Sequence, residues 1–226
     1  MKTIFKFIKA ILVILILICI VVCSVVVVNG YKMYREKIDE VSIETKVESI
    51  RSDKNYITMD EIPTDFKNAI IAVEDHRFYE HGYIDIISIG RAVVNNIKTM
   101  SLAEGGSTIT QQLAKNMYFT MEKKFTRKVA EVFVARKLEQ MYTKDEILEM
   151  YINVAYFGDG LYGLKEAANG YFDKEPLELT FDEITLLAGL PNAPSAYSLS
   201  DNEDLARRRQ QIVINQMKKY NFIDEN

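Results

Sequence analysis

The pattern of apolar and polar positions divides the chain near residue 30. Residues 10–28 contain no charged side chain and include a run of eight consecutive aliphatic residues, 11–18. As a helix these residues would span roughly 28 Å, at about 1.5 Å per residue, which is close to the hydrocarbon thickness of a bilayer. A buried core helix is the alternative, but such a helix usually keeps a polar face. The pattern therefore predicts a transmembrane helix at 10–28.

The residues that flank this segment indicate its orientation. Lys2, Lys6 and Lys9 precede it without an acidic residue. The positive-inside rule then predicts a cytoplasmic tail at 1–9 and an extracytoplasmic location for everything after the span. A cleavable signal peptide is the rival interpretation. The apolar run is long for one and no Ala-x-Ala site follows, which favours an uncleaved signal anchor in a single-pass cell membrane protein.

Beyond the span, the pattern changes to that of a folded, mainly α domain. Residues 29–56 are polar and charged, and either continue the anchor helix as a stalk or form an extended lead-in. From residue 57 apolar residues recur at helical spacing, as at Phe66, Ala69 and Ile70. No strong alternation typical of strands is present. We therefore predict one compact helical domain at 57–226.

Capping signals locate two of its helices, and amphipathic spacing locates a third. Thr143-x-x-Glu146 and Thr180-x-x-Glu183 both have the capping-box pattern that begins a helix. Pro191 is predicted to end the second of these helices, and a last amphipathic helix is predicted at 203–220.

Composition narrows the partners of this domain. Cys19 and Cys23 both lie in the apolar span, so no disulfide is expected outside it. After residue 30 there are 32 acidic and 25 basic residues, a net charge of −7, and nucleic acid is not an expected partner. Five basic residues nevertheless fall within 115–128. This local excess indicates either a phosphate site or a solvated helix face.

Polar residues are concentrated in Gly-Gly-Ser-Thr-Ile-Thr-Gln-Gln at 105–112. Glycines allow a ligand to approach the backbone, and hydroxyls and amides offer neutral donors and acceptors. The segment suits a sugar, with Lys115 placed to meet an anionic group beside it. The alternative is a helix N-terminus capped by Ser or Thr.

Two glutamates are candidates for the chemistry. Glu74 follows an apolar helix face, where burial can raise the pKa of a carboxyl group to a value suited to proton transfer. Glu131 lies near the apolar boundary of its helix, one turn after Arg127. For the charged residues that follow Glu74 the alternative is simple surface charges, and for Glu131 it is a surface ion pair with Arg127.

Five segments in chain order resemble the five motifs of the peptidoglycan glycosyltransferase domain, which polymerises lipid II in bacterial cell walls. They are Glu-Asp-His-Arg-Phe-Tyr-Glu-His at 74–81, Gly-Gly-Ser-Thr-Ile-Thr-Gln-Gln-Leu-Ala-Lys-Asn at 105–116, Arg-Lys-Val-Ala-Glu at 127–131 with Glu-Ile-Leu-Glu-Met-Tyr-Ile-Asn at 146–153, Tyr-Gly-Leu-Lys-Glu-Ala-Ala at 162–168 with Tyr-Phe at 171–172, and Leu-Ala-Gly-Leu-Pro-Asn-Ala-Pro-Ser-Ala-Tyr at 187–197. The resemblance covers about residues 57–220. The chain ends soon after the fifth segment, so a monofunctional enzyme without a transpeptidase domain is expected.

The resemblance implies a lysozyme-like helical head lobe and a smaller, membrane-proximal jaw lobe. It also implies that Glu74 is the general base and that Glu131 is the second catalytic carboxylate, which organises the leaving pyrophosphate. A divalent cation, Mg²⁺ or Mn²⁺, at Glu131 is allowed but not required. The substrate-binding residues implied are Phe78, Ser107, Thr108, Gln111, Gln112, Lys115, Asn116, Lys123 and Arg127.

Three residues depart from the family pattern. Tyr83 follows His81-Gly82 where the family has His-x-Gly, Lys123 replaces a usual Arg, and Asp173 replaces a frequent Gly. None of these changes removes a catalytic carboxylate. The expected partners are lipid II, the growing lipid-linked glycan, the membrane and a separate transpeptidase. A lysozyme-like hydrolase and an inactive lipid-binding scaffold are the alternative functions.

Overall fold

The computed structural model describes residues 2–99, 105–119 and 125–224, and within these ranges the protein is built from helices. The α-helices are α1 (Lys2–Glu40), α2 (Ile43–Arg51), α3 (Thr64–Glu74), α4 (Ile86–Thr99), α5 (Ile109–Tyr118), α6 (Phe125–Met141), α7 (Lys144–Val154), α8 (Gly163–Phe172), α9 (Phe181–Gly189) and α10 (Glu203–Lys219). Short 3₁₀ turns occur at Met59–Glu61, Phe78–Glu80, Pro176–Glu178 and Leu190–Asn192. The described ranges contain one isolated β-bridge, between Tyr156 and Tyr162, and no strand. The prediction of a mainly α fold preceded by one apolar helix is confirmed.

Helix α1 contains the whole predicted span. Its apolar side chains are exposed along 10–28, and α1 is long and apolar enough to cross a membrane. It continues without a break to Glu40, so the stalk alternative for the start of 29–56 is the one observed. Helix α2 follows, and its Ile43 and Val47 are buried in the core of the domain.

Two groups of packed helices form the core, one around α5 and the other around α3. Helix α5 packs against α6 and α7, while α3, α9 and α10 pack on one another. Phe66, Ala69 and Ile70, predicted from their helical spacing, are completely or almost completely buried. The position of α3 determines where the predicted base lies, because Glu74 is the last residue of this helix.

The predicted helix boundaries follow from local hydrogen bonds. Both capping boxes are present: Thr143 caps α7 and Thr180 caps α9, each paired with the glutamate three residues later. Helix α9 ends at Gly189, immediately before the 3₁₀ turn that contains Pro191. The last helix begins at Glu203 and ends at Lys219, as predicted to within one residue.

Helix α4 is attached to the other helices mainly through polar side chains. Arg91 Nη1 donates to His76 Nε2 at 3.0 Å, and Arg77 Nε lies 3.3 Å from Asp85 Oδ2 at the start of the helix. Much of its apolar surface, including Ile86 and Ile97, is exposed. This helix is the element that corresponds best to the smaller lobe expected from the resemblance.

Two of the three departures lie within the described residues. Asp173 is the C-cap of α8 and has φ 54° and ψ 44°, a left-handed conformation that glycine adopts more readily. The backbone carbonyl of Tyr83 accepts a hydrogen bond from Gln111 Nε2 at 2.8 Å, which ties that turn to α5. Lys123 lies outside the described residues.

Candidate active site

Glu74 is a buried carboxylate held at the end of α3. Its side chain is 7% exposed. Gln112 Nε2 donates to Glu74 Oε2 at 2.7 Å, and the hydroxyl of Tyr151 donates to Gln112 Oε1 at 3.1 Å. The Tyr151 bond fixes which end of the Gln112 amide faces the carboxylate. One oxygen of Glu74 is thus held in place by α5 and, through Gln112, by α7.

The second oxygen of Glu74 remains available. Glu74 Oε1 is buried and has no hydrogen-bond partner among the described residues, and Arg209 Nη2 of α10 lies 3.6 Å from it. Burial raises the pKa of Glu74 above its ordinary value, while the Gln112 bond and the Arg209 charge act in the opposite direction. A carboxylate with a raised pKa and a free oxygen is suited to accept a proton from a substrate hydroxyl.

Asp75 joins the end of α3 to the start of α5. The ring of His81 donates from Nε2 to Asp75 Oδ1 at 2.7 Å, and the backbone N–H of Ile109 donates to Oδ2 at 3.0 Å. Burial opposes protonation of His81, but the hydrogen bond to Asp75, the charge of Asp75 and the bond to the Gly82 carbonyl together raise the pKa of the imidazole. Because Glu74 and Gln112 lie on these two helices, Asp75 supports their contact.

The N-terminus of α5 is capped by the polar segment 105–112. Thr108 Oγ1 accepts from the backbone N–H of Gln111 at 3.2 Å, so the helix-cap interpretation is confirmed for Thr108. Thr108 and Gln111 are both about 2% exposed, and the Gln111 side chain bonds the Tyr83 backbone. Both residues stabilise the framework around the start of α5. Ser107 differs, because its hydroxyl accepts from Lys128 Nζ of α6 at 2.6 Å.

Helix α6 presents a buried acid between two bases. Glu131 is 1% exposed, and its Oε1 lies 2.5 Å from Arg127 Nη1 while its Oε2 lies 3.1 Å from Lys128 Nζ. The predicted i,i+4 ion pair with Arg127 therefore forms, but it is buried and not on the surface. Burial lowers the pKa of Lys128, and the attraction of Glu131 only partly offsets this.

Lys115 connects the two groups electrostatically. It lies on α5, three residues after Gln112, and is partly exposed. Burial dominates the pKa values of both Glu74 and Lys128, and the charge of Lys115 contributes to lowering each of them. Glu74, the predicted base, therefore shares one polar region with Lys115 and Lys128.

Two predicted binding residues within the described ranges, Phe78 and Asn116, are not joined to this region by side-chain contacts. Phe78 is fully buried, with Lys144 Nζ 4.3 Å above its ring, so any effect of Phe78 on a substrate would be indirect. Asn116 is exposed on α5. Lys123 falls outside the described residues, and its role stays a prediction.

Sequence reasoning did not identify Arg209 and gave Lys128 no role of its own. Arg209 is the third of three consecutive arginines in a polar helix, and no spacing signal distinguishes it from its neighbours. Its stem packs against Gly189, where an added Cβ would meet Arg209 Cγ at 3.0 Å. The contact between α9 and α10 thus directs this guanidinium inward. Only the tertiary fold could reveal which of the three arginines faces inward.

The charges around Glu131 bear on the metal hypothesis. Both carboxylate oxygens of Glu131 are paired with cations, so the residues as arranged do not offer an oxygen to Mg²⁺ or Mn²⁺. Among the described residues, Asp75, His81 and Asp85 have ligand atoms within 4.8 Å of one another. These atoms already bond one another or the backbone and side chain of Ser88. No chemical step below depends on a metal.

Comparison with known proteins supports the family resemblance that the ordered motifs indicated. The chain matches the transglycosylase family over residues 39–218. It is 47% identical over 167 residues to penicillin-binding protein 1F of Bacillus subtilis, covering 74% of this chain and 23% of that protein. It is 45% identical over 170 residues to penicillin-binding protein 1A of Neisseria cinerea, covering 75% and 21%.

The chain spans about a fifth of the length of these relatives. The crystal structure of penicillin-binding protein 1A from Haemophilus influenzae aligns with a TM-score of 0.44 at 20% identity, over 75% of this chain and 16% of that one. The family match begins at residue 39, near the end of α1, and extends through α10. By its match over most of its length, the chain belongs to the transglycosylase family.

Proposed function

We propose that this chain is a peptidoglycan glycosyltransferase that polymerises lipid II into glycan strands with inversion at the anomeric carbon. One observation carries the proposal: the buried Glu74 keeps an oxygen that has no hydrogen-bond partner among the described residues and lies close to the cation of Arg209. Membership of the transglycosylase family and the similarity to penicillin-binding proteins support it.

The proposed step uses Glu74 as the general base. Glu74 Oε1 takes the proton from the 4-hydroxyl of the acceptor GlcNAc while that oxygen bonds to C1 of the donor MurNAc. The bond from C1 to the pyrophosphate oxygen breaks on the opposite face, and undecaprenyl pyrophosphate leaves with the electron pair. A positioned base typically contributes about 10²–10⁴-fold to such a rate.

The cations of α5 and α6 would stabilise the leaving group. A departing pyrophosphate needs little protonation but much charge stabilisation, which fixed cations in a sheltered site supply. Arg127 and Lys128 are held by Glu131, and Lys115 lies within electrostatic range of both Lys128 and the base. In this proposal Glu131 acts by orienting the cationic side chains of Arg127 and Lys128.

The apolar part of α1 would hold the enzyme at the membrane that contains its substrates. We place residues 1–9 in the cytoplasm and the helical domain outside, because the basic residues before the span are not accompanied by acids. The glycan chain would remain lipid-linked during growth. A separate transpeptidase is the proposed partner that cross-links the product.

Polymerisation of lipid II by the purified full chain, reconstituted in vesicles, tests the proposal. We expect glycan strands from the unmodified chain and about 10²–10⁴-fold slower turnover for Glu74→Gln. Equal rates for both proteins would show that Glu74 is not the general base. Soluble fragments released from finished peptidoglycan would instead indicate the hydrolase, and lipid II binding without product would indicate the scaffold.

A further inference from the structure

Helix α1 touches the domain most closely at Gly30, immediately after the apolar span. Gly30 is buried against α6. A Cβ added there would lie 2.5 Å from Val129 Cβ and 2.9 Å from the carbonyl oxygen of Thr126. Real Cβ atoms do not approach other atoms so closely, so only glycine allows this helix crossing.

An aromatic contact extends the crossing by one turn. Tyr31 and Tyr34 of α1 lie against Phe133 of α6, with ring centroids 5.2 and 5.6 Å apart. Tyrosines are also favoured at the level of lipid headgroups. The crossing therefore combines a close backbone approach with aromatic packing at the point where α1 leaves the predicted span.

The two turns of α6 at residues 126–133 have different roles on their two sides. Thr126, Val129 and Phe133 recur at helical spacing and contact α1. Arg127 and Glu131 also recur at helical spacing, on the side turned away from that face. One short segment of α6 thus packs on the anchor and presents the cations for the leaving group.

This arrangement relates the cations to the membrane surface. Helix α1 is continuous from the span to Gly30, which lies two residues beyond Val28, or about 3 Å along the helix axis. A pyrophosphate linked to a polyprenyl chain also lies where hydrocarbon meets water. The pyrophosphate of the substrate and the α6 cations that would bind it are then held at the same depth relative to the bilayer.

We propose that the Gly30 crossing is a positioning device that sets the height of the Arg127 and Lys128 cations above the bilayer. The proposal rests on the proposed function and deepens it. It makes Gly30 a positioning residue that acts through α6. The contact would matter for a substrate held in a membrane and not for one free in water.

Insertion of seven helix-forming polar residues between Val28 and Asn29 tests this directly. The insertion raises the domain by about 10 Å and nearly preserves the helical face, since seven residues are close to two turns. The matched control carries the same seven residues between Lys2 and Thr3, on the other side of the span. Both proteins are assayed with undecaprenyl-linked lipid II in vesicles and with a short-chain, water-soluble lipid II analogue.

We expect the first insertion to slow turnover in vesicles by about 100-fold, as a misplaced reacting group does, and to leave turnover of the soluble analogue unchanged. The control should match the unmodified chain with both substrates. Equal vesicle activity of the two insertions would overturn the proposal, and so would equal loss with both substrates. If the unmodified chain polymerises neither substrate, the proposed function itself fails.

A second pair of variants tests the crossing without changing the length of α1. Gly30→Ala forces α1 and α6 apart and should lower turnover in vesicles but not of the soluble analogue. Gly30→Ala combined with Val129→Gly removes the Val129 side chain that the added methyl would meet and should recover part of the vesicle activity. An unaffected Gly30→Ala variant, or a double variant no better than the single one, would contradict a role for this contact.

Discussion

The guanidinium of Arg209 lies 3.6 Å from Oε1 of Glu74, the carboxylate oxygen that has no hydrogen-bond partner among the described residues. This separation is too long for a hydrogen bond, so the oxygen stays free to accept one from a substrate. The charge nevertheless favours the ionised form of Glu74 against the effect of burial. Helix α10 thereby contributes to a site formed mainly by α3, α5 and α6.

Removal of the Arg209 charge should change the pH dependence of the reaction. Without this cation the pKa of Glu74 rises further, because burial is then opposed only by Gln112 and Lys115. We expect the acidic limb of the kcat profile of Arg209→Gln to move to higher pH. Arg209→Lys keeps the charge and should retain a profile close to that of the unmodified chain. Identical profiles for all three proteins would show that Arg209 does not tune the base.

The raised pKa of Glu74 also predicts a conflict between stability and activity at this residue. The pKa of Glu74 is raised in the folded state, so folding is favoured most below the ordinary carboxyl pKa. This stability is lost as the pH rises through the folded pKa. At neutral pH, which is above the ordinary carboxyl pKa, Glu74 therefore destabilises the protein relative to a neutral isostere.

Thermal unfolding of Glu74→Gln across pH should reveal this conflict. We expect the variant to have a higher Tm than the unmodified chain at neutral pH, with the difference shrinking as the pH falls toward the ordinary carboxyl pKa and absent below it. The amide can still accept from Gln112, so the packing is preserved. Glu166→Gln, at a partly exposed glutamate of α8, is the control and should lack this pH-dependent gain. A lower Tm for Glu74→Gln at neutral pH would contradict the sign.

The features that could be predicted from the sequence are those fixed by neighbouring residues. Thr143, Thr180 and Thr108 each bond a backbone N–H three residues later, so their helix starts can be read locally. Glu74 and Glu131 were recognisable because each lies beside apolar residues in a segment that resembles a family motif. Whether α1 continued past residue 28 could not be decided, because the contacts of Gly30 are made with a helix almost a hundred residues away.

The features that could not be predicted depend on distant contacts. Gln112 was expected to line a sugar cleft, and its bonds to Glu74 and Tyr151 join positions 38 and 39 residues away. The sequence gives no sign that Gln111, its neighbour, turns instead to the Tyr83 backbone. Adjacent residues on a helix point in different directions, and only the packed helices decide which amide meets the base.

The α6 cations predict a selective loss of catalysis. Lys128→Met removes the ammonium while keeping an unbranched stem, and Arg127 remains to pair with Glu131. We expect kcat to fall by about 10²-fold, the usual cost of removing one donor for developing negative charge. Lys137→Met removes an exposed lysine from the same helix and should be neutral. If both substitutions had the same small effect, Lys128 would be a structural residue only.

The C-cap of α8 provides a stability prediction independent of the active site. Asp173 is exposed and left-handed, with φ 54°, and its backbone N–H bonds the carbonyl of Asn169. A Cβ is disfavoured in this conformation. Asp173→Gly should therefore raise the free energy of unfolding by about 0.5–1 kcal/mol without changing turnover. Asp173→Ala keeps the Cβ and loses the polar group that tolerates this conformation, so it should be less stable than the unmodified chain. Urea unfolding at equal ionic strength measures all three, and a destabilised glycine variant would mean that the Asp173 side chain makes a stabilising interaction that outweighs its backbone cost.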